Sequence, residues 1–545
     1  MNPPSSLEAM SPERARSVFL VLLCASLLFK IAFAALLPMT GDEAYFIAWG
    51  REPDWGFYDH PPMVGWWLAV LDAISSHALV LRLPAVLVPV ALAFAAVATI
   101  RRYGESLGWL AGSLVLLAPL NVWNVAITTD VPLMFFSGLA VLAYVRAQRT
   151  GAKIDYVLCG LALGGALMSK YFAGLLAIAI FAHSVWRPSR TKLVGLAFVV
   201  LASLPAAVVQ VWWNAANCWP NVMFNIVNRH DKDGLSWVTP LLFAACAIYA
   251  MSPPVALAVL RRRRAAAPAQ GAMEAREGRV SRAAGAGAIV DDRRGDLELE
   301  RAAAAQACAW LAAVPLLVLA ALSPVKTIGL HWMASFALPA ILWFVLAGAG
   351  GERARRGALR FGTGFAILHY VLVAVLLALP TETWSKLRQY PGIVMTVHAD
   401  ELAEAIGRER LDSHVLASNG YSAAVTLEYN FDRRVVVFGP GSSHARHDDM
   451  RADFREYDGR DFLIIRKDRY RPGEYDAFFE RVATETIELR GAHFTLVIGE
   501  GFRYPAYREV VLEEVRRLWY QVPHWLPAGP CYFCDRYFPD RACHR

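Results

Sequence analysis

Along the first 380 positions, polar and apolar residues are arranged in long blocks. Apolar runs fall at about 17–38, 79–100, 107–123, 131–147, 156–169, 171–186, 193–213, 238–260, 305–323, 331–348 and 359–380. A helix needs about 20 apolar residues to cross a bilayer, fewer where protein flanks it. The pattern predicts about eleven membrane spans. The short runs 156–169 and 171–186 also fit one re-entrant hairpin, which leaves the parity of crossings unchanged. From about residue 381 the pattern changes. His414–Ser418, Arg434–Phe438 and Asp461–Lys467 read as short buried strands. Tyr421–Tyr429 and Tyr475–Val482 read as helices between or after them. That alternation predicts a small α/β domain over 381–545, following a membrane domain over 1–380. Residues 265–304, rich in Ala, Arg and Gly, carry no hydrophobic pattern and read as a flexible loop.

Basic residues occupy every second loop: Arg14 and Arg16, Arg101 and Arg102, Arg146 to Lys153, Arg187 to Lys192, Arg261–Arg264, and Arg353 to Arg356. Loops rich in Lys and Arg face the cytoplasm. The other loops (39–78, 124–130, the Lys170 corner, 214–237 and 324–330) are then extracytoplasmic, as is the α/β domain. The first run is too long for a signal-peptide core, lacks a small-residue cleavage site and reads as a retained span. Only 19% of the 545 residues are charged, too few for a soluble chain of this length. The net charge of +7 is accounted for by topology signals and calls for no nucleic acid. The predicted class is a polytopic α-helical membrane protein with a small extracytoplasmic α/β domain.

The outward loops carry the candidate chemistry. Gly41–Pro62 holds Asp42, Glu43, Asp59 and His60 among Tyr45, Trp49, Trp55, Phe57 and Tyr58. Ionisable groups beside a span are costly and mark function by default. The second loop ends in Thr129-Asp130-Val131-Pro132, where Asp130 also fits a plain helix N-terminus. Lys170 stands between two short runs, where it fits either snorkelling or an anionic headgroup. Later loops add Arg229, His230, Lys232, Lys326 and His331. Carboxylates thus come from the first two loops and cations from the later ones. A carboxylate can take the proton of an incoming hydroxyl, and cations can stabilise a departing phosphate. A transporter more often places its charges in mid-span, at broken helices.

Cys531-Tyr-Phe-Cys534 with Cys543-His544 has partial zinc-ligand spacing. In an oxidising compartment a disulfide is the better reading, and a bridge within the Cys-x-x-Cys itself the weakest. Cys24, Cys159, Cys246 and Cys308 lie in apolar runs and read as small hydrophobes.

Seven motifs run in a familiar order over about residues 17–350: Gly41-Asp42-Glu43-Ala44-Tyr45, Gly56-Phe57-Tyr58-Asp59-His60-Pro61-Pro62, Leu81-Arg82-Leu83-Pro84, Thr129-Asp130-Val131-Pro132-Leu133, Ser169-Lys170-Tyr171, Trp213-Asn214 and His331-Trp332. Together they resemble the bacterial GT-C glycosyltransferases related to protein O-mannosyltransferases and lipid A aminoarabinose transferases. That resemblance implies a polyprenyl-phosphate sugar donor and a lipid, glycan or protein acceptor in the envelope. It implies Asp42 as base, with Glu43 beside it and Asp130 as a second acidic group. Lys170 would hold the lipid phosphate, with Asp59, His60, Arg229 and His331 as further substrate contacts. The fifth outward loop departs from the family pattern, with His331-Trp332 in place of Asn-Trp after Lys326, so a divalent metal stays open and no cofactor is certain. The alternatives are a lipid-linked glycan flippase and a non-catalytic glycan-binding scaffold.

Overall fold

The computed structural model describes residues 10–228, 234–262, 293–348, 350–541 and 543. All eleven apolar runs are helical. Among the described residues, seven helices are long and apolar enough to cross a membrane: Pro12–Leu36 (α1), Ala78–Tyr103, Asp130–Thr150, Arg190–Ala216, Gly295–Leu322, Leu330–Ala347 and Gly351–Ala378. The runs near 107, 156, 171 and 238 give shorter helices, Glu105–Leu116, Lys153–Leu167, Ala173–Val185 and Val238–Met251. Local chemistry stops them. Pro119 starts a new helical turn after the first, and Ser252 at φ 66° turns the chain after the last. Lys153–Leu167 and Ala173–Val185 are separate helices on either side of the Lys170 corner.

The helices approach closely where side chains are smallest. A Cβ on Gly160 would lie 2.4 Å from the Val199 carbonyl oxygen, so Lys153–Leu167 and Arg190–Ala216 meet almost backbone to backbone. Within α1, buried Lys30 donates to the carbonyls of Ala85 and Asn121, both at 3.0 Å. The loop expected over 265–304 is shorter than the sequence suggests. Residues 263–292 lie outside the described residues, but 293–304 are the first turns of the helix Arg293–Leu322. Ala, Leu and Glu there are good helix formers, and the span behind them supplies the nucleus.

Beyond Ala378 the chain builds a five-stranded sheet: β1 (Val415–Ser418), β2 (Val435–Val437), β3 (Phe462–Arg466), β4 (Arg481–Leu489) and β5 (Ala492–Glu500), in the order β2-β1-β3-β5-β4. β1 pairs in parallel with β2 and β3, and β5 pairs antiparallel with β3 and β4. Alternate residues feed two cores. Leu416, Val435, Val437, Leu463 and Ile465 face the helix Tyr421–Phe431. Ala417, Val436, Ile464 and Val497 face Phe454, Phe502 and Tyr507. The three expected strands and the first helix form as read. Tyr475–Val482 does not form a helix. It makes one short turn at Asp476–Phe478 and then enters β4, because the run from Val482 to Leu489 is rich in β-branched residues (Val482, Thr484, Thr486, Ile487) and pairs with β5 as an edge strand. Arg490 and Gly491, both at positive φ, close the β4–β5 hairpin.

Two disulfides fasten this region. Cys218–Cys531 joins the loop after Arg190–Ala216 to the C-terminal segment, and Cys534–Cys543 closes a local loop. The Cys-x-x-Cys does not bridge internally. Cys531, Cys534 and Cys543 bring their sulfurs within 4.8 Å of one another, but each is taken up in a disulfide, and His544 is outside the described residues. The zinc-like set therefore has no free thiolate to offer. Non-reducing peptide mapping should recover these two cross-links. A Cys218→Ser/Cys531→Ser protein should unfold at lower denaturant, by about 2–4 kcal/mol.

Candidate active site

The site begins with a buried ion pair. α2 (Gly41–Arg51) opens with a capping box, in which Thr40 and Glu43 satisfy each other's backbone N–H. The Glu43 carboxylate also accepts from Arg82 Nε (2.8 Å), Arg82 Nη2 (2.7 Å) and the Ile127 N–H (3.0 Å). Arg82 donates its remaining N–H groups to the carbonyls of Ala34, Leu37 and Pro38, which are left without partners where α1 ends. Both side chains are essentially inaccessible to solvent. Glu43, expected beside the base, is instead turned away from the reaction space, because this pair consumes its hydrogen-bonding capacity.

Consecutive helical residues point about 100° apart, so Asp42 faces elsewhere. It is exposed to a cavity of about 670 Å³. Asp59, His60, Lys170, Lys326 and His331 share the walls, and Leu175, Ile178, Leu319 and Leu322 form an apolar flank. The Asp59-His60 turn is held from behind. Asn221 donates to the carbonyls of Phe57 and Tyr58, Trp213 donates to Asp54 at 3.0 Å, and the Phe57 N–H bonds the His60 carbonyl. Gly56 lies against the Trp213 ring, where a Cβ would come within 2.4 Å of it. Tyr45 donates to Asp59 at 3.2 Å. Burial, reinforced by the Asp59 charge, raises the Tyr45 pKa well above the usual phenol range, so it stays a donor.

Lys170 reaches the cavity from the corner after Lys153–Leu167, and its Nζ lies 2.8 and 2.9 Å from the two Asp130 oxygens. Asp130 does not line the cavity, so the second expected carboxylate stands behind the lysine rather than beside Asp42. Arg229 lies outside the described residues. Among the described residues the three C-terminal cysteines form the sole set of three or more metal-type side chains with ligand atoms in mutual reach. The acids and histidines of the cavity are spread around its walls.

Sequence reasoning missed Tyr421 and His444, which come from the sheet region and line the same cavity. Their rings stack at 5.5 Å, Tyr421 meets Tyr45 edge-on, and His444 meets Phe224. Behind them, His447 packs edge-on to Tyr45, Trp49 and Phe57. Burial lowers its pKa well below the usual imidazole range, so it is neutral. Arg451 completes the junction by pairing with Glu52 and Glu428, each at 2.7 Å.

Residues 59–213 match the family model for dolichyl-phosphate-mannose-protein mannosyltransferases. The chain is 30% identical over 206 residues to the lipid A galacturonosyltransferase RgtD of Rhizobium johnstonii. That match spans 36% of this chain and 41% of the relative's length. The fold is similar to ArnT from Cupriavidus metallidurans, solved bound to undecaprenyl phosphate. The TM-score is 0.56 at 13% identity, over 89% of this chain and 98% of ArnT. A likeness to the Saccharomyces cerevisiae Pmt1-Pmt2 complex, at TM-score 0.31, is too low to carry an argument. Over most of its length the chain shares the fold of ArnT, and the stretches matched within it are similar to glycosyltransferase sequences.

Arg82→Met should destabilise the protein by about 3–5 kcal/mol, because it strands a buried carboxylate. Thermal unfolding in detergent, compared with the exposed-site change Arg433→Met, measures this.

Proposed function

We propose that the protein transfers a sugar from a polyprenyl-phosphate donor to an envelope lipid at the extracytoplasmic face of the inner membrane. The observation that carries this reading is a single cavity that joins Asp42 and Lys170 to an apolar flank. The flank suits a prenyl chain, Lys170 suits its phosphate, and Asp42 is free to act on an acceptor. The acceptor hydroxyl attacks the anomeric carbon with inversion while its proton passes to Asp42. The bond from that carbon to the phosphate oxygen breaks, and the phosphate leaves with the electron pair, stabilised by Lys170. Asp130 fixes the Lys170 ammonium at that point. Glu43 acts through the fold, by orienting α2.

The similarity to a lipid A galacturonosyltransferase supports lipid A as acceptor and a uronic acid as sugar. Lys170 and Lys326 both line the cavity, cations of a kind suited to a phosphate and a sugar carboxylate. Two features support the outward orientation. All four disulfide-bonded cysteines lie on the sheet side, and Arg101, Arg102, Arg146 and Arg149 converge around a hollow of their own, consistent with the cytoplasmic loops. The flippase reading has less support, since the named relatives are transferases.

The test is transfer in reconstituted membranes from labelled undecaprenyl-phosphate galacturonic acid, or a neutral-sugar counterpart, to lipid A. Asp42→Asn should lower kcat about 100-fold or more while still binding undecaprenyl phosphate. Lys170→Ala should lose that binding. Label that stays on a demonstrably bound donor with wild-type protein would refute the transferase reading.

A further inference from the structure

A second hollow, of about 700 Å³, lies against the first. The two share a wall made by the opening turns of α2 and of the helix Tyr421–Phe431. Asp42 and Tyr421 face the first cavity, and their neighbours Gly41 and Ser422 face the second. The wall is thin. A Cβ on Gly41 would lie 2.7 Å from the Ser422 hydroxyl oxygen.

Sheet topology gives this hollow a second significance. From β1 the chain runs through Tyr421–Phe431 to β2 on one side, and β3 lies on the other. The crevice at the carboxyl ends of β1 and β3 is the point where the winding reverses, and open α/β sheets bind ligands at such points. Ser422, which follows β1, and Lys467 and Asp468, which follow β3, line the hollow there.

Its charge and position suggest the ligand's chemistry. Arg388 and Lys467 line it, and neither makes an ion pair among the described residues. Asp468, the one carboxylate on the wall, is already held by Arg466 and Asn419. Arg388 follows shortly after the spanning helix Gly351–Ala378, and Leu379, Leu387 and Val397 stay exposed along the approach. Apolar side chains beside cations at a span's end fit the headgroup region of a membrane.

We propose that this groove is the acceptor subsite, holding the anionic headgroup of a membrane-anchored acceptor so that its hydroxyl reaches Asp42 past the α2 wall. The inference rests on the transferase reading and adds the place where the acceptor's anionic headgroup is held, with Arg388 and Lys467 as its cations.

The experiment uses full-length protein in phosphatidylcholine nanodiscs, with labelled donor and an envelope-lipid extract separated by anion exchange into anionic and neutral fractions. Label should enter the anionic fraction. Arg388→Ala/Lys467→Ala should raise the acceptor KM about tenfold, with unchanged affinity for undecaprenyl phosphate. Arg388→Lys/Lys467→Arg should restore it, which a mere packing role would not require. A second arm measures retention of added phosphatidylglycerol. If the double variant loses that lipid but keeps its acceptor KM, the groove is a bulk-lipid site and the acceptor assignment fails. If neither changes, the groove binds no anionic headgroup. Absence of transfer by wild-type protein that still binds undecaprenyl phosphate overturns the transferase reading and the acceptor assignment with it. Transfer with an unchanged KM overturns the groove alone.

Discussion

The ion pair between Glu43 and Arg82 is the constraint on which the rest of the site depends. In a low-dielectric interior an unpaired charge is costly, and a pair is tolerated only when its remaining hydrogen-bonding positions are also filled. Here they are filled from three places at once: the end of α1, the start of α2 and the loop at Ile127. The pair therefore fixes the entry angle and rotation of α2. With Glu43 locked inward, Asp42 must face outward into the cavity. The carboxylate that faces the cavity is thus aimed by a neighbour buried on Arg82.

The same division of labour recurs at Lys170. Its ammonium sits between an acid behind it and an open cavity in front. Asp130 pairs with it at 2.8 Å, which offsets the cost of placing a cation close to apolar helices. The pair leaves the lysine little rotamer freedom, so its cation is held in place at the cavity wall.

The sheet region is part of the site rather than an appendage to it. Tyr421 and His444 form one wall of the cavity, and Arg451, His447 and the Cys218–Cys531 bridge hold that wall against the membrane helices. The neutral, fully packed His447 acts as an aromatic spacer here. Charging it would place a cation among Tyr45, Trp49 and Phe57 with the cations Arg451 and Arg434 already near.

Much of this was legible from residue order. The helices were, because lipid demands long apolar runs and the runs are long. So were Asp42, Asp59, His60, Lys170 and His331 as companions, because ionisable groups at span boundaries are costly enough to stand out. The three parallel strands were visible as short apolar blocks between turns. What sequence alone left open depends on contacts between distant residues. Asp42 and Glu43 look equivalent until one partner, Arg82, selects between them. Asp130 reads as an independent acid until a lysine 40 positions away takes both its oxygens. Tyr475–Val482 reads as a helix until pairing with β5 draws its last two residues into β4. The cysteines near the C-terminus pair with each other and with Cys218 according to which loops the fold brings together. Residue type and periodicity report what solvent each segment prefers, a local property. Which of two adjacent carboxylates meets a substrate is set by packing and paired charge across the whole molecule, and only the tertiary structure decides it.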